Sequence, residues 1–182
     1  MVVLIALIAF VPFALAWFFT RHPELLHQRS NYGSLITPAQ PLPYDLLLSG
    51  SSASTTPLQQ AKGRWIVLQI TAGPCDGSCR TSLQASRQIR LLLNKDIARV
   101  QRLLLTSGPP PVLPDPDEDL LLGTASGALI EKLSRIVGRP LDEGMVILID
   151  PFANAMMWYP PGFDPYGVLR DLKHLLRSSQ IG

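Results

Sequence analysis

The first twenty residues constrain this chain more than any other stretch. From Met1 to Thr20, MVVLIALIAFVPFALAWFFT, no residue is charged and 18 of the 20 are apolar. Twenty residues of helix rise about 30 Å, which is the hydrocarbon thickness of a bilayer. Trp17, Phe18 and Phe19 fall where an interfacial aromatic belt would lie, with Arg21 and His22 just outside. Pro12 would kink such a helix without forbidding it. Ala14-Leu15-Ala16 has the small-x-small form of a signal-peptide cleavage site, but the run is long for a signal peptide and no basic residues precede it. The expectation is one uncleaved transmembrane helix over 1–20, a tether and irregular edge over 21–62, and a single domain over 63–182. Arg21 and Arg29 follow the span, and the positive-inside rule would draw the domain into the cytoplasm. The cysteine chemistry argued below favours the oxidising side, a bacterial inner membrane with the domain in the periplasm.

Composition narrows the function. The chain has 182 residues, 47% of them apolar, so it is not disordered. Its two cysteines are too few for a disulfide-stapled miniprotein. A formal charge of +2 with no basic run leaves no electrostatic footprint for nucleic acid.

Residues 21–62 carry many turn formers, from Asn31 and Gly33 through Pro38, Pro41 and Pro43 to the Gly50–Pro57 stretch, and read as a tether leading into irregular or hairpin structure. The pattern then sharpens. Trp65–Ile70 is a short apolar run bounded by Gly63 and Gly73-Pro74, a buried-strand signal. Ala85, Ile89, Leu92 and Leu93 form one helical stripe, with Arg80, Arg87 and Arg90 on other faces. Val100–Thr106 is a second strand, and a Pro- and Asp-rich loop runs on to Asp119. Leu129, Ile130, Leu133, Ile136 and Val137 mark a second helix stopped by Gly138. Met145–Ile149 is a third strand, Asp150–Asn154 turns the chain, and Ala155–Tyr159 returns as a fourth. Asp164 caps a last helix with Pro165 at its first position and Val168, Leu172, Leu175 and Leu176 buried.

The order β-α-β-α-β-β-α implies a parallel pair followed by an antiparallel hairpin on one mixed sheet. That is the core of the thioredoxin-like α/β fold. Cys75 and Cys79 lie at its first strand–helix junction, where an α/β sheet places its chemistry. A helix N-terminus near Cys79 lowers thiol pKa, and Arg80 adds a positive neighbour, so thiolate is available for disulfide exchange or for Cu(I). Cys75, on the loop, is the expected attacking thiol. A structural disulfide and an inert buried pair are the alternatives; zinc lacks ligands, since no histidine or further cysteine lies near the pair.

With its N-terminal anchor, the Trp65–Ile70 strand running into Cys75-x-x-x-Cys79, and the late Ile147-Leu148-Ile149-Asp150-Pro151 hairpin before a terminal helix, the chain resembles the Sco/SenC family. These are membrane-anchored thioredoxin-fold factors that bind copper and help assemble cytochrome c oxidase. The resemblance covers roughly 60–180. More narrowly, Asn31-Tyr32-Gly33, Pro41-Leu42-Pro43 and the tail from Met145 look like small Sco-like proteins encoded with bacterial cytochrome oxidase genes. The resemblance implies work on the oxidase copper site by Cys75 and Cys79, through thiol–disulfide exchange or Cu(I) transfer, with an oxidase subunit or assembly factor as partner. The family completes its copper site with a histidine before the late strand; here that stretch reads Pro140-Leu141-Asp142-Glu143-Gly144-Met145. Two rivals stay open: a non-catalytic assembly factor braced by its disulfide, and a general periplasmic thiol–disulfide oxidoreductase. Against the latter, no proline stands immediately before the Met145 strand.

The remaining candidates read plainly. His22 and His27 are interfacial or solvated, His174 is a surface residue, and Met145 and Met156-Met157 are strand core before they are thioether ligands. Asp115, Asp117, Glu118 and Asp119 lack the EF-hand pattern and form a solvated loop. Phosphate loops and hydrolase motifs are absent from the sequence.

Overall fold

The computed structural model describes residues 2–22, 31–48, 58–72, 75, 77–108, 111, 113 and 118–179, without the side chains of 2–7 and 9. The chain divides into two compact units, Met1–Ser30 and Asn31–Gly182. In the first, α1 (Val2–Arg21) runs through Pro12 and ends with the Arg21 guanidinium 4.9 Å over the Trp17 ring. Among the described residues no helix is long and apolar enough to cross a membrane.

The second unit is built on a six-stranded sheet in the order β1-β6-β5-β2-β3-β4. Its strands are β1 (Ser34–Pro41), β2 (Trp65–Thr71), β3 (Val100–Thr106), β4 (Leu120–Thr124), β5 (Val146–Ile149) and β6 (Asn154–Tyr159). β2, β3 and β4 run parallel, while β5 lies antiparallel to β2, β6 to β5 and β1 to β6. Helices α2 (Tyr44–Leu47), α3 (Gly77–Leu91), α4 (Gly127–Val137) and α5 (Pro165–Ser178) complete the unit. The architecture is the mixed α/β, thioredoxin-like one.

Strands buried on both faces read as continuous apolar runs, and β2, β3 and β5 do so because helical layers cover both sides of the sheet. On one side Ile66, Leu68, Leu103 and Ile147 pack with Leu129, Leu133 and Val137 of α4. On the other, Val67, Val100, Val146 and Leu148 pack with Ile89 of α3 and Val168, Leu172 and Leu176 of α5. Each such side chain contributes ~1.5–3 kcal/mol by leaving water.

Gly138 closes α4 in the left-handed region, as the sequence indicates, and the structure adds the N-cap: Ser126 Oγ accepts from Leu129 N at 3.2 Å. Asp164 caps α5 by accepting from Tyr166 N and Gly167 N. One stripe needs correcting. Ile89 and Leu93 are buried, but α3 ends at Leu91, so Leu92 turns outward and is 44% exposed. Two strands are not individually marked in the sequence, although β1 falls in the stretch expected to hold irregular or hairpin structure at the domain's edge. β1 carries prolines at 38 and 41, which only an edge strand accommodates, and β4 is a five-residue run directly after the acidic loop.

Candidate functional site

β2 ends at Thr71 and α3 begins at Gly77, so the two cysteines sit on the turn from strand end to helix start. Cys75 lies before the helix and Cys79 in its first turn. They form a disulfide with a Cα–Cα distance of 5.2 Å. Cys79 therefore stands where the helix macrodipole presents its positive end, which favours thiolate once the bond is reduced.

Both sulfur-bearing residues are covered. Cys75 is 6% exposed and Cys79 2%, in a cluster with Leu83 of α3, Leu104 of β3 and Leu120 of β4. Leu113 and Leu122 pack against the same cluster. Cys75, expected as the attacking thiol, is only slightly more exposed than its partner.

The backbone before β5 closes the site from the side of the third expected strand. A Cβ on Gly144 would lie 2.9 Å from the Ser78 carbonyl oxygen, and Gly144 has φ +85°. The absence of a side chain lets this segment rest against the first turn of α3, one residue from Cys79. Met145 follows, but it is packed with Leu68 and Ile147 in the cluster on the α4 side, apart from the disulfide. The structure thus does not bring Met145 to the sulfurs. Met157 is core, and Met156 packs against it half-buried. His174 is exposed on α5, His22 is exposed at the end of α1, and His27, Asp115 and Asp117 lie outside the described residues.

Between the second and third turns of α3 and the sheet lies a polar group that the hydrophobic pattern did not reveal. Gln69 Nε2 donates to Ser82 Oγ. Ser86 Oγ lies 3.1 Å from Gln69 Oε1 and accepts from Arg102 Nε at 3.1 Å; Arg102 Nη2 donates to the Leu83 carbonyl at 2.9 Å. All four side chains are buried, Arg102 completely. The available signal was the long polar residues Gln69, Gln101 and Arg102 inside mostly apolar strands, since buried polar groups require partners. Of the arginines expected around α3, Arg80 and Arg87 are exposed, while Arg90 is drawn in by Asp119 at 2.8 Å and by the Val100 carbonyl.

A second polar centre fixes the entry of the chain into the domain. Asp171 Oδ2 accepts from Tyr32 N (2.8 Å), Gly33 N (2.9 Å) and Tyr159 Oη (3.0 Å). Burial, then the Asp171 charge and the hydrogen bond to it, hold the Tyr159 hydroxyl well above its ordinary pKa.

Among the described residues no group of three or more His, Cys, Asp or Glu side chains is arranged to hold a metal ion.

Residues 65–179 match the family model described as transmembrane-like, thioredoxin-like, C-terminal domain. No curated protein matches the sequence. Among solved structures the chain is similar to Arabidopsis thaliana ScoI with copper bound, at 15% identity and TM-score 0.50, covering 66% of this chain and 88% of that one. It is also similar to yeast Sco1, at 14% identity and TM-score 0.52, covering 66% and 84%. T. cruzi GPX1 matches at 16% identity and TM-score 0.53, covering 70% and 93%. At these identities the likeness is one of fold.

Proposed function

Because this chain belongs to the transmembrane-like, thioredoxin-like family, whose C-terminal domain it contains, we propose that it is a membrane-anchored thiol–disulfide protein serving assembly of the cytochrome c oxidase copper site. Residues 1–20 are the anchor, 21–62 the tether and domain edge, and 63–182 the working domain, facing the periplasm. Cys75 and Cys79 are the residues that act.

The observation that carries this reading is the disulfide at the junction of β2 and α3. A bond between residues four apart closes a very short loop. In the chain-entropy account that contributes about 2 kcal/mol, against about 4.7 for a loop of a hundred residues. A brace gains little from such a position, whereas a redox couple gains the helix dipole. In the forward reaction the reduced Cys75 thiolate attacks one sulfur of a partner disulfide, and the departing partner thiolate takes up a proton. Cys79 then attacks the Cys75 sulfur, releasing the second partner thiol. Two electrons and two protons pass to the partner, and the pair is left oxidised; a thiol reductant resets it.

Copper enters as cargo. Two soft sulfurs in an apolar surround suit Cu(I), held by Cys75 and Cys79 alone, while Cu(II) would require nitrogen ligands. The copper-bound structure of Arabidopsis ScoI, a neighbour in fold, supports looking for it. The burial of both sulfurs favours one rival, the braced assembly factor without redox turnover.

The test is trapping. Cys79→Ser should accumulate a mixed disulfide between Cys75 and a peptide bearing an oxidised Cys-x-x-x-Cys pair, and Cys75→Ser should not. Failure of Cys79→Ser to trap the peptide would leave only the brace.

A further inference from the structure

The outer face of α5 carries charge of one sign. Tyr166, Arg170, Lys173 and Arg177 recur at intervals of three and four and so share one side of the helix, with His174 beside them. Tyr166, Arg170, His174 and Arg177 are exposed and Lys173 is half-buried. The acid within this helix, Asp171, is turned inward beneath Tyr32 and Gly33. Asp164, at the N-cap, is engaged by the backbone N–H groups of Tyr166 and Gly167. Helix α3, packed against α5 on the same side of the sheet, adds the exposed Arg87 and has no Asp or Glu in its sequence. On the other side of the sheet, α4 mixes Glu131 with Lys132 and Arg135.

Tyrosines border the stripe. Tyr166 is 73% exposed and Tyr32 57%, with the Arg170 guanidinium 5.7 Å over the Tyr32 ring. Cations flanked by exposed tyrosines are the composition of a protein surface that sits at lipid headgroups. The chain also enters the domain at this helix, since Tyr32 and Gly33 are bonded to Asp171.

We propose that the outer face of α5, with Tyr32 and Arg87, docks on a bilayer containing anionic lipid, its cations meeting the lipid phosphates and its tyrosines lying at headgroup level. Docking would hold the domain on its membrane in a fixed orientation, with α5 inward. The inference extends the anchored reading, but its charge dependence is separate from insertion of residues 1–20.

Amine acetylation of the full chain, read by mass spectrometry, tests it, because the sequence has four lysines: Lys62, Lys95, Lys132 and Lys173. The chain is added to phosphatidylcholine vesicles, alone or with about 30% phosphatidylglycerol, an anionic content sufficient to attract basic segments. Lys173 labelling should fall roughly fivefold on the anionic vesicles and recover at high salt, as expected for attraction screened by ions. Lys132, on the opposite helix, should keep its rate. Arg170→Glu with Arg177→Glu should abolish the protection, and Arg170→Lys with Arg177→Lys should retain it, circular dichroism confirming that both fold. Equal Lys173 labelling on the two vesicles would overturn the proposal, as would equal protection of all four lysines. Salt-resistant flotation with vesicles reads anchoring separately, so loss of one property is not mistaken for loss of the other.

Discussion

Asp171 is the residue on which the entry of the chain depends. One of its oxygens accepts two backbone N–H groups from residues 138 and 139 positions away and a tyrosine hydroxyl from β6. Replacing it by alanine strands three donors in a buried place, and unsatisfied donors cost about 1–3 kcal/mol each. Asp171→Ala should lower stability by about 3 kcal/mol, read as a fall in urea midpoint at constant slope. Tyr159 gives a pH signature. Its folded pKa is raised, so the folded state retains a proton that the unfolded chain releases above pH of about 10. Its contribution is complete below that pH and is lost as pH rises further. Stability should therefore fall steadily as pH rises above about 10, and Tyr159→Phe should flatten that limb while lowering the plateau at neutral pH. These partnerships could not be read in sequence. Asn31-Tyr32-Gly33 stands out there only by resemblance, and nothing local pairs it with an aspartate in the last helix. Cys75 and Cys79, four apart at a strand–helix turn, were legible because their partnership is local.

At the scale of elements, what sequence shows and what it hides divide along the same line. Gly138, Asp164 and Pro165 mark helix ends by short-range chemistry and stand where expected, and Ser126 caps α4 by chemistry equally local. Ser126→Ala should cost about 1 kcal/mol and leave the disulfide's reduction unaffected, a thermal melt and a thiol assay being the checks. β1 and β4 needed tertiary knowledge: the first is tolerable only because it lies at the sheet edge, the second only because β3 is waiting beside it. The contact between the β5 lead-in and α3 is equally non-local. Gly144→Ala would place a methyl against the Ser78 carbonyl at a φ that L-residues avoid. It should cost about 2 kcal/mol, and because the displaced turn carries Cys79, it should also change the rate at which glutathione reduces the disulfide. A stability loss with an unchanged reduction rate would separate Gly144 from the site.

In the whole molecule a thioredoxin-like domain carries its disulfide at the first strand–helix junction, and the proposed function has that bond do chemistry rather than bracing. The Cys75→Ser, Cys79→Ser double variant should fold and lose only about 2 kcal/mol, because a five-residue loop confers little. The most direct measurement is the reduction potential of the Cys75–Cys79 bond in the full chain, by equilibration with glutathione or dithiothreitol buffers. A redox-active pair should give a value between about −180 and −270 mV, the span of working thiol–disulfide proteins. A value below about −300 mV, with the bond unreduced by glutathione, would identify a structural disulfide and contradict the assignment.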